Sequence, residues 1–223
     1  MISPRFVQQS VVNWIDTRFG LTDAVDEQLY QRVPNYANAF YYCFGGMVFV
    51  LIMLQIVTGI LLAFYYIPST AEAYLSIQYI MKDVYLGWLI RGVHFWDANI
   101  LVLMVLAHMA RVYWTGSYRA PRELNWMVGV MLLLVIIGFS FTGYLLPWDE
   151  KAYWATEVGV RIGGSAPLAG FIVSKILLGG NALSSATLPR FFALHVFILP
   201  AAIMLLMFTH FKLIRKHGIS EPL

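Results

Sequence analysis

Four histidines fall inside two strongly apolar segments of this 223-residue chain. His94 and His108 stand 14 residues apart, and His195 and His210 stand 15 apart. Ionisable residues within membrane-length apolar segments are rare and default to function. On an α-helix, 14 positions advance about 21 Å and return to within about 40° of the same face; 15 positions advance about 22 Å and return to within about 60°. Each segment therefore presents two imidazoles on one side, separated by most of the thickness of a bilayer. If the two segments run parallel, His94 faces His195 at one height and His108 faces His210 at the other. With two nitrogens per height and no nearby Cys or carboxylate, neither pair completes a zinc or copper site. The pattern points to two stacked bis-imidazole haem sites. Ordinary hydrogen-bonded packing and a proton relay compete with it.

The elements that position these residues are legible from the charge pattern. The first apolar segment runs from about Ala39 to Tyr66, the second from about Trp88 to Thr115, the third lies between Glu123 and Asp149, and the fourth is uncharged from Phe191 to Phe211. Each meets or exceeds the roughly 20 residues that span the hydrocarbon core. The third connection is long and opens with Pro147-Trp148-Asp149. It predicts surface helices near Ala152–Val160 and Pro167–Leu178, broken at Gly163-Gly164 and Gly179-Gly180. At the start of the chain, Ser3 can cap a helix with Pro4 at its first position. Phe6, Val7, Val11, Trp14 and Ile15 then share one face, as in a helix lying in the membrane interface. The expected fold is an all-α membrane protein: four transmembrane helices forming a di-haem bundle, an N-terminal interfacial amphipathic helix, and short surface helices between the third and fourth spans. The expected divisions are an arm at 1–38, a four-helix unit at 39–215 and a tail at 216–223.

Glycines and arginines bear on the haem reading. A flat macrocycle between helices needs close backbone approach, which Gly permits. Gly45 and Gly59 in the first segment, and Gly129 and Gly143 in the third, are each 14 apart, the period of the first histidine pair. Small-residue helix packing would use the same residues. Arg91 lies one turn before His94, Arg111 follows His108 by three, and Arg119, Arg122 and Arg215 fall near the far ends. Arginine pairs with carboxylates such as haem propionates through a bidentate fork, and orientation signalling is the alternative use.

Composition sets the class. Only 12% of residues are charged and 60% are hydrophobic, about half the charged share of a soluble domain. The net charge of +3 is small and its basic residues are scattered, so nucleic acid is not an expected partner. The single cysteine, Cys43, excludes an intrachain disulfide and any multi-cysteine metal site. Nine Lys and Arg fall in the arm, the second connection and the tail, against six on the opposite side. The positive-inside rule then places both termini on the cytoplasmic, n side, and the second and fourth helices run parallel from p to n.

The strings GWLIRGVHFW, LAHMARVYWTG, APRELNW, FTGYLLPWD, TLPRFFALHVFILP and HFKLIRKHGISEPL resemble the cytochrome b6 type, the short-form cytochrome b of split-b quinol reductases. The 15-residue spacing of His195 and His210 is similar to that type. The resemblance implies a non-covalent p-side haem b on His94 and His195 and an n-side haem b on His108 and His210. It further implies a third haem, of c type, bonded through Cys43. Without a CxxCH motif, the residues alone would make Cys43 a buried thiol. Phe141, Tyr144, Trp154, Ala155 and Val158 would help line a p-side quinol pocket completed by another subunit, since no Pro-Glu-Trp-Tyr-type string occurs here. The implied activity is that of a quinol:cytochrome c or plastocyanin reductase, coupled to proton translocation. In it quinol gives one electron to an iron–sulfur partner and the other across the membrane to an n-side quinone. Implied partners are a subunit IV-type or C-terminal cytochrome b subunit, a Rieske iron–sulfur protein, a c-type cytochrome and a second copy in a homodimer. The FYYCFGG string leans to a bacterial cell membrane over a thylakoid one. Phe95 and Asp97 depart from the pattern, the first where a basic or histidine residue is frequent, the second as an unexpected carboxylate. A proton-relay transporter and a di-haem anchor of a dehydrogenase are the rival functions.

Overall fold

Inside hydrocarbon every backbone polar group must be satisfied within its own segment, which leaves helices as the form for isolated apolar stretches. The computed structural model of the chain follows this rule. It describes residues 13, 14, 16–18, 34–38, 40–167 and 170–220. The chain divides into two units, Met1–Asn38 and Ala39–Leu223. In the first, Arg18 stacks over Trp14 at 4.1 Å. The expected interfacial helix from Ser3 through Val11, with Ile15, lies outside the described residues.

The second unit is all helical among its described residues. A 3-10 turn, Phe40–Cys43, leads into α1, Phe44–Ala63. Then come α2, Ala73–Lys82; α3, Gly87–Trp114; and α4, Glu123–Leu145. Two surface helices follow, α5, Glu150–Gly164, and α6, Gly170–Leu178. The last span is compound: α7, Thr187–Ala193, a π-helical turn, Leu194–Ile198, and α8, Leu199–His217. Among the described residues, four stretches are long and apolar enough to cross a membrane, of 24, 28, 23 and 31 residues.

Connections 64–86 and 146–186 share one end of the bundle, called here the loop end. Connection 115–122 and the residues after His217 share the other, the terminal end. Chain direction therefore makes α3 and α8 parallel. Helix α1 packs along α3, and α4 packs along α8. All four helices meet in a central apolar layer of Ile52, Leu101, Val105, Ile136, Ile203 and Met207. Each of these residues lies in sequence between the two histidines or the two glycines of its helix, so the layer separates two levels.

A second core closes the loop end, where Leu145, Leu188 and Phe191 are fully buried with Ala73, Val160, Leu178 and Leu183 around them. Pro147 stops α4, and Asp149 starts α5 by accepting from the Ala152 amide at 2.8 Å. Tyr66 ties the end of α1 to this core, donating to the Leu146 carbonyl at 2.6 Å and stacking on Phe192. Burial pushes its hydroxyl far above the usual phenol range, so it remains a donor.

Three details differ from the sequence expectation. Short helices are expected only between the third and fourth spans, yet α2 lies between the first two, with Ala73, Ser76 and Ile80 buried on one stripe. Helix α5 extends past the expected end at Val160 and takes in Gly163 and Gly164 as its last two residues, with Ser165 as its C-cap. The fourth span is not a uniform α-helix. In the π turn the Leu199 amide bonds back to the Leu194 carbonyl, five residues earlier. Pro200 follows, and a proline has no N–H and crowds the carbonyl four residues before it.

Replacing Tyr66 with Phe leaves the Leu146 carbonyl without its donor and should destabilise the loop end by about 1–3 kcal/mol. A thermal melt of the solubilised protein checks this, and an unchanged midpoint would remove Tyr66 as the tie.

Candidate functional site

At the loop end α3 and the fourth span bring His94 and His195 together, with ring centres 6.4 Å apart and planes inclined by 71°. Their outer nitrogens are held. Thr58 Oγ1 lies 2.9 Å from His94 Nδ1, and Thr142 Oγ1 lies 3.0 Å from His195 Nδ1. Each threonine has one hydroxyl proton, and each donates it along its own helix: Thr58 to the Leu54 carbonyl and Thr142 to the Gly138 carbonyl, both at 2.7 Å. The oxygens can then only accept from the imidazoles. Both rings must carry their proton on Nδ1, which leaves the Nε2 lone pairs free to ligate.

Glycines hold the rings from behind. A Cβ built on Gly59 would stand 3.2 Å from His94 Cε1, and one on Gly143 would stand 2.6 Å from His195 Cε1. At the terminal end the arrangement repeats with less support. Gly45 places its missing Cβ 3.1 Å from His108 Cε1, and Gly129 places its own 3.7 Å from His210 Cε1. His108 and His210 lie close enough to interact electrostatically. No hydroxyl holds either ring among the described residues, and His210 Nδ1 is buried with no hydrogen-bond partner.

Haem fits these sites on two grounds. A metal–imidazole bond is about 2.0–2.1 Å, and a ring nitrogen lies about 1.1 Å from its ring centre, so two axial rings on one ion stand roughly 6 Å apart; the loop-end pair is at 6.4 Å. Among the described residues no three His, Cys, Asp or Glu converge on one point. A bare ion would be under-coordinated there, whereas a porphyrin brings four nitrogens of its own.

The other candidates are placed as follows. Arg91 is half-buried, with Nη1 3.6 Å from Met81 Sδ. Arg111 stacks on Tyr42 at 4.0 Å, its Nε buried and unpartnered. Arg122 donates to the carbonyls of His217 and Gly218 at 3.3 and 3.4 Å, capping the last turn of α8. Arg119 and Arg215 are exposed. Cys43 is exposed at the start of α1, next to Tyr42, whose hydroxyl donates to the Ser220 carbonyl at 3.3 Å. Ser220 in turn hydrogen-bonds Ser117, the two hydroxyls buried together.

Of the residues expected to line a quinol pocket, Phe141 is packed inward against Phe191, at 5.6 Å, and over Gly159. Tyr144, Trp154, Ala155 and Val158 are exposed at the loop end, forming an open apolar wall. Phe95 also faces outward. Asp97 does not: it is 4% exposed, and neither carboxyl oxygen has a hydrogen-bond partner.

Sequence reasoning missed Thr58 and Thr142. The signal was present, since each precedes one of the loop-end glycines, giving Thr58-Gly59 and Thr142-Gly143. It also missed how 15 residues on one helix match 14 on the other. The π turn beside His195 absorbs one residue, so the two spacings reach the same depth.

Two parallel helices, each bearing two imidazoles backed by glycines of the neighbouring helices, define a four-span membrane protein with paired histidines at two depths. A family model for cytochrome b/b6/petB matches residues 29–218. Cytochrome b6 of Synechococcus sp. (strain RCC307) is 43% identical over 213 residues, covering 96% of this chain and 97% of the relative. Cytochrome b6 of Oltmannsiellopsis viridis is 44% identical over 213 residues, covering 96% and 99%. A chain of a hyperthermophilic respiratory Complex III superposes with a TM-score of 0.84 at 35% identity, covering 95% of this chain. The present chain spans 56% of that longer one. The chain belongs to the cytochrome b/b6 family and is an integral, multi-pass membrane protein.

Replacing Gly143 with Ala should displace the His195 ring and lower haem content by about one per chain, because the added carbon meets ring atoms. Gly46→Ala is the control, with nothing within 4 Å. Equal haem-to-protein ratios in the two variants would refute the cradle. Thr142→Val removes the acceptor from His195 Nδ1–H and should weaken cofactor retention about 10–100-fold, read as haem lost on dilution into detergent.

Proposed function

We propose that this chain is the haem-bearing electron-transfer subunit of a quinol:cytochrome c or plastocyanin reductase, carrying electrons from p-side quinol across the membrane toward an n-side quinone. The observation that carries the reading is the pair of imidazole levels, the loop-end one with both Nε2 lone pairs turned free. When bound, haem supplies one-electron carriage at each level. His94 and His195 hold the loop-end group, taken as the p side, and His108 and His210 hold the terminal-end one. The layer of Ile52, Leu101, Val105, Ile136, Ile203 and Met207 excludes water between them. Moving one charge against 100 mV takes about 2.3 kcal/mol, so cofactors at two depths let redox energy build a membrane potential.

The threonines favour a direction. A hydrogen bond from a ligand's second nitrogen raises its basicity, which stabilises the oxidised metal. His94 and His195 each have a threonine hydroxyl as that acceptor, whereas at the terminal end only His210 has a backbone neighbour, Asn125, so the loop-end group is the stronger reductant. Electrons then fall toward the terminal end.

Further parts of the reading rest on the family resemblance and on placement. Exposed Cys43 at the terminal end is positioned to carry a covalent c-type haem, with Arg111 and Tyr42 beside it. Arg91, Arg111, Arg122 and Arg215 are candidates for propionates. The exposed wall of Tyr144, Trp154, Ala155 and Val158, with Phe141 behind it, is one half of a quinol pocket. Its other half would come from a subunit IV-type or C-terminal cytochrome b partner, with a Rieske protein and a c-type cytochrome completing a homodimeric complex. Both termini would then face the n side, in a bacterial cell membrane or a thylakoid.

Leu in place of His210 should remove one b-type haem and leave the loop-end one, seen in reduced-minus-oxidised spectra of the purified complex. Loss of the loop-end haem instead would overturn the depth assignment. Cys43→Ala should abolish haem that survives acid-acetone extraction on this chain. Wild-type protein with no such haem would strike the covalent group from the proposal.

A further inference from the structure

Asp97 is the one carboxylate of α3, and the family reading gives it no task. It lies three residues beyond His94, roughly 4.5 Å further along the axis, in the middle of an apolar bundle. It is 4% exposed. The Gln55 amide of α1 sits beside it and donates one N–H to the His94 carbonyl at 2.7 Å, while neither Asp97 oxygen has a partner in good hydrogen-bond geometry. Gln55 thus touches the backbone of a haem ligand and neighbours the carboxyl, placing both in one local network.

Among the described residues no cation pairs with Asp97. Helix α1 has no charged or titratable residue between Phe44 and Ala63. Helix α2 contributes Tyr74, Tyr79 and Lys82, and α4 contributes Glu123 and Tyr144, near the ends of the bundle. The 3-10 turn brings Tyr41, Tyr42 and Cys43 at the terminal end. On α3 itself stand Arg91, the tyrosine and arginine of its last turn, and the imidazoles; His195 lies across the bundle. None of the cations pairs with Asp97, since the ion pair among the described residues joins Arg161 to Glu157. An isolated carboxylate is costly in such surroundings, so its protonation must answer to whatever charge changes close by. The nearest group whose charge changes in function is the cofactor one helical turn away.

Resting on the haem reading above, we propose that Asp97 takes up one proton when the iron held by His94 and His195 gains an electron, and returns it when the electron leaves. The balance is simple. One electron from a quinol-class donor converts iron(III) to iron(II), and one proton from the loop-end aqueous phase converts the carboxylate to the carboxylic acid. No other bond changes. Local charge is thereby held constant, and Gln55, able to donate and accept, turns to suit either form.

The test is a redox titration of the intact complex, following each b haem optically over a series of pH values. The wild-type loop-end potential should fall with pH across part of the series, approaching a tenfold change in the redox equilibrium per pH unit, about 59 mV for a one-electron couple. Asp97→Asn should flatten that slope and leave the terminal-end haem unchanged, while Asp97→Glu should keep the slope. A slope that persists in Asp97→Asn would assign the proton to the haem propionates and overturn the proposal. If Asp97→Asn does not assemble, infrared difference spectra of the wild type decide: a carboxylic C=O band should grow as the loop-end haem is reduced, and its absence overturns the proposal. Two b-type haems with equal slopes in wild type and variant would sink this inference alone. Failure to find b haems at all would sink the haem reading beneath it.

Discussion

An imidazole serves as a ligand only while one ring nitrogen keeps its lone pair pointed at the metal, and in this bundle that condition is met by hydroxyl groups with no proton left to give. Thr58 and Thr142 each donate to a carbonyl one turn back in their own helices. Their oxygens then fix the tautomer of the facing histidine. Placement by glycine and orientation by threonine come from the same dipeptide, so α1 and α4 act as outer jaws on imidazoles carried by α3 and the fourth span. Closing the jaws needs both a missing Cβ and a spare acceptor.

The same arrangement explains why the two ends are unlike. The loop end has the threonines, the capped surface helix α5 and a core with Leu145, Leu188 and Phe191 fully buried. The terminal end relies on Arg111 over Tyr42, on Ser117 and Ser220, and on Arg122 capping α8. A buried His210 Nδ1 without a partner marks a site less completely furnished by this chain.

The spans and the four histidines were legible because uncharged runs of membrane length and a repeat near 14 residues are strong one-dimensional signals. The glycine period was also plain, and the structure sets each of the four against an imidazole. What escaped was the part that depends on which groups meet across helices. Thr58 and Thr142 look like ordinary helix threonines until their partners are known. Helix α2 is brief and amphipathic, so it carried no signal beside the long spans. Gly163 and Gly164 do mark the end of α5, but as its last two residues rather than a gap after Val160. The 15-residue interval was read on ideal α geometry, which overstates the rotation. Pro200 held the clue to the wide turn.

That turn makes the fourth span two pieces rather than one rod. Its first piece is anchored by Phe191 and Leu188 within the loop-end core, and its second runs along α4 to the opposite face. The azimuth of each imidazole on this span is therefore set by a different neighbourhood. The turn is thus a seam in the span, with His195 on one side's framework and His210 on the other's.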